Sequence, residues 1–358
     1  MIKVGILGTG FMARAITIGA EFVDDLEITA VASRTQSKAD EFSKAFRIES
    51  SFGSYAELIK SKSADIIYIA TPAERHFQDI MVCIDNGKHV LCEKPLALNA
   101  EQVEQIAAAA AAKKLFVMEA LWTRFIPAVR KSKDLIEAGK VGDIKLMTFE
   151  FHKRLEIKAQ TATADSGTGV GALLDLGCYP LSLAQYFKGS PCTIVSATSR
   201  YSSGMDSQIS AILSYEDGAM AQVSSGYLSD ATRGVISGSK GKIEFLGPLY
   251  CPRGLRFTPA NIEESAPAGP SGPPSGLKRA LLGSSLAHRA KSLISESMDS
   301  SELLQLPIRG NGYNYELEEV VKCLNLGLQQ SPIMPLSDSL ESLKTIDSIV
   351  NSSRKEHP

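Results

Sequence analysis

Gly8-Thr9-Gly10-Phe11-Met12-Ala13 is the stretch on which the fold turns. It follows the apolar run Lys3-Val-Gly-Ile-Leu7 directly and opens a helical pattern. A G-x-G-x-x-A hexamer has meaning in that setting, as the strand–turn–helix of a dinucleotide-binding unit. Gly8 permits the tight turn, Gly10 lets the backbone approach a pyrophosphate, and Ala13 allows close helix–strand packing. The helix N-terminus behind them offers unpaired N–H groups and the positive end of a dipole. Thr9, Phe11 and Met12 fill the rest of this phosphate loop.

Working outward, residues 2 to about 119 alternate strand and helix patterns. Apolar runs at Ile28–Ala32, Asp65–Ala70, His89–Cys92 and Leu115–Met118 are separated by helical stretches at Lys38–Phe46, Phe77–Asn86 and Ala100–Lys113. Nearly continuous apolar strands alternating with helices predict a doubly wound parallel sheet of the Rossmann type, covered on both faces. The pattern changes after about residue 120. Longer strands are expected at Ile144–Lys153, Thr193–Tyr201, Gln208–Tyr215 and Ala219–Tyr227, the last two joined by the turn Glu216-Asp217-Gly218. A second hairpin is expected through Ser239-Lys-Gly241. The fold class is therefore α/β for residues 1–120, followed by an α+β unit over 121–358 with a large, mainly antiparallel open sheet. A sheet left open on one face favours assembly into a homodimer or higher homo-oligomer. The stretch 258–301, rich first in Pro, Gly and Ser and then in basic residues and Ser, is expected to be a mobile surface insertion. The end of the chain, 313–352, is helical in pattern and broken at Ser331-Pro332 and Met334-Pro335.

Composition narrows the function classes. The 358 residues suit two domains, with 44% hydrophobic and 22% charged residues. Lys and Arg number 38 against 40 Asp and Glu, a balance poorly suited to tracking a phosphate backbone, so no nucleic-acid partner is expected. No apolar run approaches the roughly 20 residues of a membrane span, and the first strand begins at Ile2, which speaks against a secretory signal. The six cysteines form no CxxC pair and have no histidine at zinc spacing, so reduced thiols, a cytoplasmic setting and no metal are expected.

Three further motifs carry chemistry. The second strand ends Val31-Ala32-Ser33-Arg34-Thr35, with no carboxylate for a ribose 2′-hydroxyl. Ser33 and Arg34 can instead donate to a 2′-phosphate, which points to NADP over NAD. Thr71-Pro72 and Glu93-Lys94-Pro95 end the next two clear strands, on the edge where doubly wound sheets bind ligands. In Gly169-Val-Gly-Ala-Leu-Leu-Asp175-Leu-Gly-Cys-Tyr179-Pro180, Asp175 and Tyr179 are four apart and would share one helix face. A tyrosine beside a lysine ammonium can have its phenol pKa lowered, which suits proton exchange with a hydroxyl or carbonyl group. A core tyrosine and a capping aspartate explain that segment equally well.

Taken together, GTGFMA, EKP at 93–95 and the Asp175/Tyr179 segment resemble the glucose–fructose oxidoreductase / inositol dehydrogenase / rhizopine-catabolism (Gfo/Idh/MocA) family. Glu119–Pro127 and Asn314–Pro335 are most similar to its dimeric dihydrodiol dehydrogenase / NADP-dependent xylose dehydrogenase branch, from which the 258–301 insertion departs. The resemblance implies that the nicotinamide lies between Lys94 and the Asp175/Tyr179 segment, with His76, Trp122 and Arg124 near the cofactor. It implies hydride transfer between NADP(H) and a sugar, polyol or cyclic diol, with Lys94, Tyr179 and Asp175 as the catalytic group. Whether Tyr179 or Lys94 carries the proton stays open at this level. Two other classes stand beside it. One is an NADP(H)-binding sensor or scaffold without turnover. The other is an enzyme that works through transient oxidation with tightly held NAD.

Overall fold

The computed structural model describes residues 1–155, 171–202, 205–260 and 301–356. In the first unit the chain runs β1 (Ile2–Leu7), α1 (Phe11–Ala20), β2 (Leu26–Ala32), α2 (Gln36–Phe46), β3 (Ser50–Phe52) and α3 (Tyr55–Lys60). It continues through β4 (Ile66–Ile69), α4 (Ala73–Asp85), β5 (His89–Glu93), α5 (Ala100–Lys113) and β6 (Val117–Ala120). The six strands pair in parallel in the order β3-β2-β1-β4-β5-β6. β1, β2, β4, β5 and β6 are apolar and buried over most of their length because helices cover both faces. The order reverses direction between β1 and β4, so the crevice at their carboxyl ends is where such a sheet takes its ligand.

A short 3₁₀ turn (Trp122–Phe125) and α6 (Pro127–Glu137) lead into the second unit. There β7 (Ile144–His152) is followed by α7 (Ala172–Asp175), α8 (Cys178–Lys188), β8 (Thr193–Ser202), β9 (Met205–Ser214) and β10 (Met220–Gly226). Next come β11 (Ala231–Gly238), β12 (Gly241–Leu246), β13 (Gly254–Pro259) and β14 (Glu302–Gln305). These eight strands form one sheet, β14-β13-β12-β11-β7-β10-β9-β8, antiparallel except between β7 and β10. Both expected hairpins are present, β9–β10 and β11–β12. α7 and α8 lie against β7, β9 and β10. Val195 on β8, Met220 on β10 and Leu303 on β14 are large apolar side chains left exposed.

The last helices, α9 (Asn314–Asn325) and α10 (Leu336–Glu356), return toward the first unit. α9 packs on α1, where the Asn311 side chain donates to the Ala15 carbonyl. α10 packs against α5, α8 and β8. The Val117 N–H donates to the Gln329 carbonyl, which caps part of the β6 edge.

Most expected elements appear close to their predicted limits, with several departures. β6 starts at Val117 rather than Leu115. β3 and α3 occupy a stretch in which no element is expected. Thr258 and Pro259 belong to β13 and Glu302 opens β14, so the start of the expected insertion is strand; residues 261–300 of it lie outside the described residues.

Candidate active site

The glycine turn has the geometry its sequence predicts. Gly8 sits at φ 108°, where an added Cβ would lie 2.7 Å from the Ala70 carbonyl oxygen. Its N–H donates to the Ala32 carbonyl, tying the turn to the end of β2. A Cβ on Gly10 would meet nothing within 4 Å, and Gly10 is exposed. Gly10 caps α1 with no side-chain hydrogen bond, and the first turn carries no acidic residue. The N–H groups there remain open to an anion, which is the arrangement a pyrophosphate needs. Phe11 is exposed, and Thr9 and Met12 are partly exposed beside it.

At the end of β2, Ser33 is buried, with its N–H bound to the Phe52 carbonyl at the end of β3. Arg34 beyond it is exposed. Thr71 is buried and donates to Asp79 at 2.8 Å, while Pro72 caps α4 in an extended conformation. His76, one turn into α4, is buried between the Pro95 and Thr71 carbonyls, each 2.8 Å from a ring nitrogen. Burial lowers its pKa despite both carbonyls. This ring ties the loop after β4 to the loop after β5.

Lys94 and Asp175 are brought together by folding. The Lys94 ammonium donates to Asp175 Oδ1 at 2.7 Å and to the Asp175 carbonyl at 2.8 Å. Two of its three N–H bonds are thereby engaged, and both side chains keep some exposure, 17% and 19%. Burial works to lower the Lys94 pKa, but Tyr179 and the Asp175 carboxylate outweigh it and hold the ammonium well above the usual lysine range. Tyr179 lies with its ring centroid 5.3 Å from Lys94 Nζ and edge-on to Phe151 at 5.3 Å.

Two expectations about Tyr179 need correction. Asp175 and Tyr179 do not share one helix: Asp175 ends α7 and Tyr179 lies in the first turn of α8. The break falls at Gly177, where a Cβ would lie 2.4 Å from the Leu173 carbonyl oxygen. Pro180 then falls in the first turn of α8, where a missing N–H costs no helical bond. The phenol pKa is also raised rather than lowered. Burial pushes it above the usual tyrosine range, and Lys94 and a Trp122 hydrogen bond only partly offset this. Tyr179 is therefore protonated at neutral pH.

Tyr227, just past β10, is a partner that sequence spacing missed. Its hydroxyl donates to Asp175 Oδ2 at 2.9 Å, so both carboxylate oxygens are held. It lies 52 positions from Asp175, and only its place at a strand end marks it. Tyr313 was missed as well: it stacks on Trp122 with centroids 4.2 Å apart and approaches the Met12 sulfur at 4.0 Å.

Arg124 is the clearest departure from expectation. Its side chain has no exposed surface. The guanidinium donates to the Ser182 hydroxyl and carbonyl, the Ile333 carbonyl and Asp338. It joins the 3₁₀ turn to α8 and α10 and presents no surface to a cofactor. Glu93 is likewise buried, accepting from the Tyr68 hydroxyl and the Lys94 N–H.

Burial raises the Glu93 pKa to about 7, with Tyr68 and Lys94 partly opposing. A carboxyl raised from 4.5 on folding binds more protons in the native state, so stability falls as pH rises through that window. Equilibrium urea unfolding from about pH 5 to about pH 8 is expected to lose up to about 3 kcal/mol from this group. The slope should flatten in Glu93→Gln; an unchanged slope in the variant would assign it to other carboxyls.

Comparison with known proteins agrees with this geometry. The family model described as an oxidoreductase family with an NAD-binding Rossmann fold matches residues 2–121, and the Gfo/Idh/MocA C-terminal domain matches residues 129–244. Trans-1,2-dihydrobenzene-1,2-diol dehydrogenase from Bos taurus is 31% identical over 344 residues, covering 94% of this chain and 92% of its own. The same enzyme from Homo sapiens is 31% identical, covering 95% and 91%. Among solved structures, aldose-aldose oxidoreductase from Caulobacter crescentus superposes with a TM-score of 0.80 at 21% identity, covering 99% and 98%. A 3-ketoreductase from Actinomadura kijaniata, solved with NADP, superposes at 0.76 with 23% identity, covering 98% and 97%. At such identities the two structures establish a shared fold.

Proposed function

The chain belongs to the Gfo/Idh/MocA oxidoreductase family, and on that premise we propose that it is an NADP(H)-dependent oxidoreductase acting on a sugar, polyol or cyclic diol. The observation that carries the reading is Lys94. Its ammonium is held on Asp175 by two acceptors, its third N–H meets no acceptor among the described residues, and the Tyr179 ring lies beside it. The open N–H groups behind Gly10 fit a pyrophosphate, and Arg34 at the end of β2 fits a 2′-phosphate where an aspartate would fit a free ribose. NADPH, when bound, supplies the hydride.

The protein's own part is to position and charge the acceptor. The remaining Lys94 N–H donates to the carbonyl oxygen of the substrate and stabilises negative charge as it develops there. Tyr179, kept protonated by burial, gives its proton to that oxygen, and solvent restores it. Asp175 and Tyr227 hold Lys94 in place. In the oxidative direction the same proton moves back from the alcohol. The dihydrodiol dehydrogenase relatives favour a cyclic diol among the substrate classes. The exposed apolar residues of the eight-stranded sheet, Val195 and Met220, favour a homodimer or higher homo-oligomer, and free thiols throughout favour the cytoplasm.

Nicotinamide absorbance tests this directly, with NADPH and NADH against aldoses, inositols, keto-sugars and trans-dihydrodiols. Turnover with NADP(H) on at least one of these is expected. Binding of the cofactor with no turnover across the panel would leave a sensor or scaffold instead. Tyr179→Phe should lower kcat by roughly 10² to 10⁴ while NADPH titration by fluorescence is unchanged. Near-normal kcat in that variant would remove Tyr179 from the reaction.

A further inference from the structure

We propose that Arg75 is the second cation of the adenosine 2′-phosphate site, acting with Arg34 on the sheet edge that carries Tyr55. The proposal rests on the reading of Ser33-Arg34 as the end of the chain that selects NADP. β2, β3 and β4 run parallel, so Arg34, Tyr55 and the start of α4 all emerge on one edge of the sheet. The Ser33 N–H bound to the Phe52 carbonyl draws the ends of β2 and β3 together on that edge. Tyr55, at the start of α3, is half-buried there, and the Arg75 guanidinium lies over its ring at 5.5 Å. Burial raises the Tyr55 phenol pKa, and the charges of Arg75 and Arg34 both partly oppose it.

Arg75 is held in a defined orientation. Its Nε and Nη2 donate to the two oxygens of Asp79 at 3.3 and 2.7 Å. Asp79 is in turn fixed by the Thr71 hydroxyl at 2.8 Å and is itself buried. Among the described residues Nη1 and the second N–H of Nη2 meet no acceptor, and the side chain is 45% exposed. An exposed i,i+4 pair ordinarily contributes little and is free to rearrange. Here a buried carboxylate and an aromatic face pre-set the guanidinium, so its open N–H groups can meet a phosphate with little loss of side-chain freedom. The open N–H groups of this preset guanidinium suit the oxygens of a 2′-phosphate and offer nothing comparable to a ribose hydroxyl.

Direct binding titration of NADPH, NADH, 2′,5′-ADP and 5′-AMP tests the assignment without reference to turnover. Arg75→Gln is expected to weaken NADPH and 2′,5′-ADP by about 10-fold, or about 1.4 kcal/mol, and to leave NADH and 5′-AMP within about twofold. Arg75→Lys keeps a charge opposite Asp79 but loses the fork, and should show a smaller loss confined to the same two ligands. Equal weakening of all four ligands would make Arg75 a purely structural partner of Asp79 and overturn the proposal. Discrimination lost in Arg34→Gln but intact in both Arg75 variants would also overturn it, leaving the NADP reading in place. Wild-type protein that binds 5′-AMP as well as 2′,5′-ADP would overturn both together.

Discussion

Lys94→Met is expected to reduce turnover by roughly 10³-fold while the protein still folds and still binds NADPH. Among the described residues the ammonium keeps one N–H without an acceptor beside Tyr179, so its removal takes away the proposed donor for the reacting oxygen. Methionine fills a similar volume, and Asp175 keeps the Tyr227 hydroxyl on Oδ2. The loss should therefore fall on kcat rather than on folding. The pyrophosphate contacts expected from the turn at Gly8 and Gly10 do not involve this side chain, so NADPH affinity should stay within about threefold. Steady-state kinetics alongside a fluorescence titration separates the two quantities. A variant with wild-type kcat would place the chemistry elsewhere.

Arg124→Ala should have its largest effect on stability. The guanidinium has no exposed surface and donates to three residues on two other elements and the loop before α10. Its removal leaves the Ser182 and Ile333 carbonyls and the Asp338 carboxylate short of a donor and opens a cavity. A loss of about 3 kcal/mol or more follows from a broken buried ion pair with unsatisfied acceptors. Urea unfolding monitored by the single tryptophan, which lies in the same 3₁₀ turn, reads it directly. NADPH affinity, measured where the variant is folded, should be close to that of the native chain. A variant of normal stability with weakened NADPH binding would restore Arg124 as a cofactor contact.

The contrast between these two residues reflects what sequence can carry. The positions of Gly8, Gly10 and Lys94 were legible because they belong to a local pattern, a turn or a strand end, whose geometry follows from the chain itself. The same holds for β1, β2, β4, β5 and β6, which are nearly continuous apolar runs. β3 was missed because three residues, Ser50–Phe52, are too few to show a period. The helix break at Gly177 was hidden because Asp-Leu-Gly-Cys-Tyr fits one helix or two; the Leu173 carbonyl packed against Gly177 settles it. The direction of the Tyr179 shift depends on burial by residues far away in the chain, and burial outweighs the neighbouring ammonium that sequence reasoning put first. Tyr227 reaches Asp175, and Arg124 reaches Ser182 and Asp338, only through tertiary structure. Arg124 is placed near the cofactor by resemblance alone, and the fold encloses it between α8 and α10 instead.

The central claim is that Lys94 and Tyr179 serve a hydride transfer with NADP(H). The most direct measurement follows the hydride itself. A carbinol-deuterated trans-dihydrodiol, inositol or aldose is incubated with NADP⁺ and enzyme, and the cofactor is analysed by mass spectrometry. Deuterium is expected in the nicotinamide of the NADPH formed by wild-type protein, and almost none with Lys94→Met. Tight NADP⁺ binding with no label in the nicotinamide for any of these substrates would contradict it.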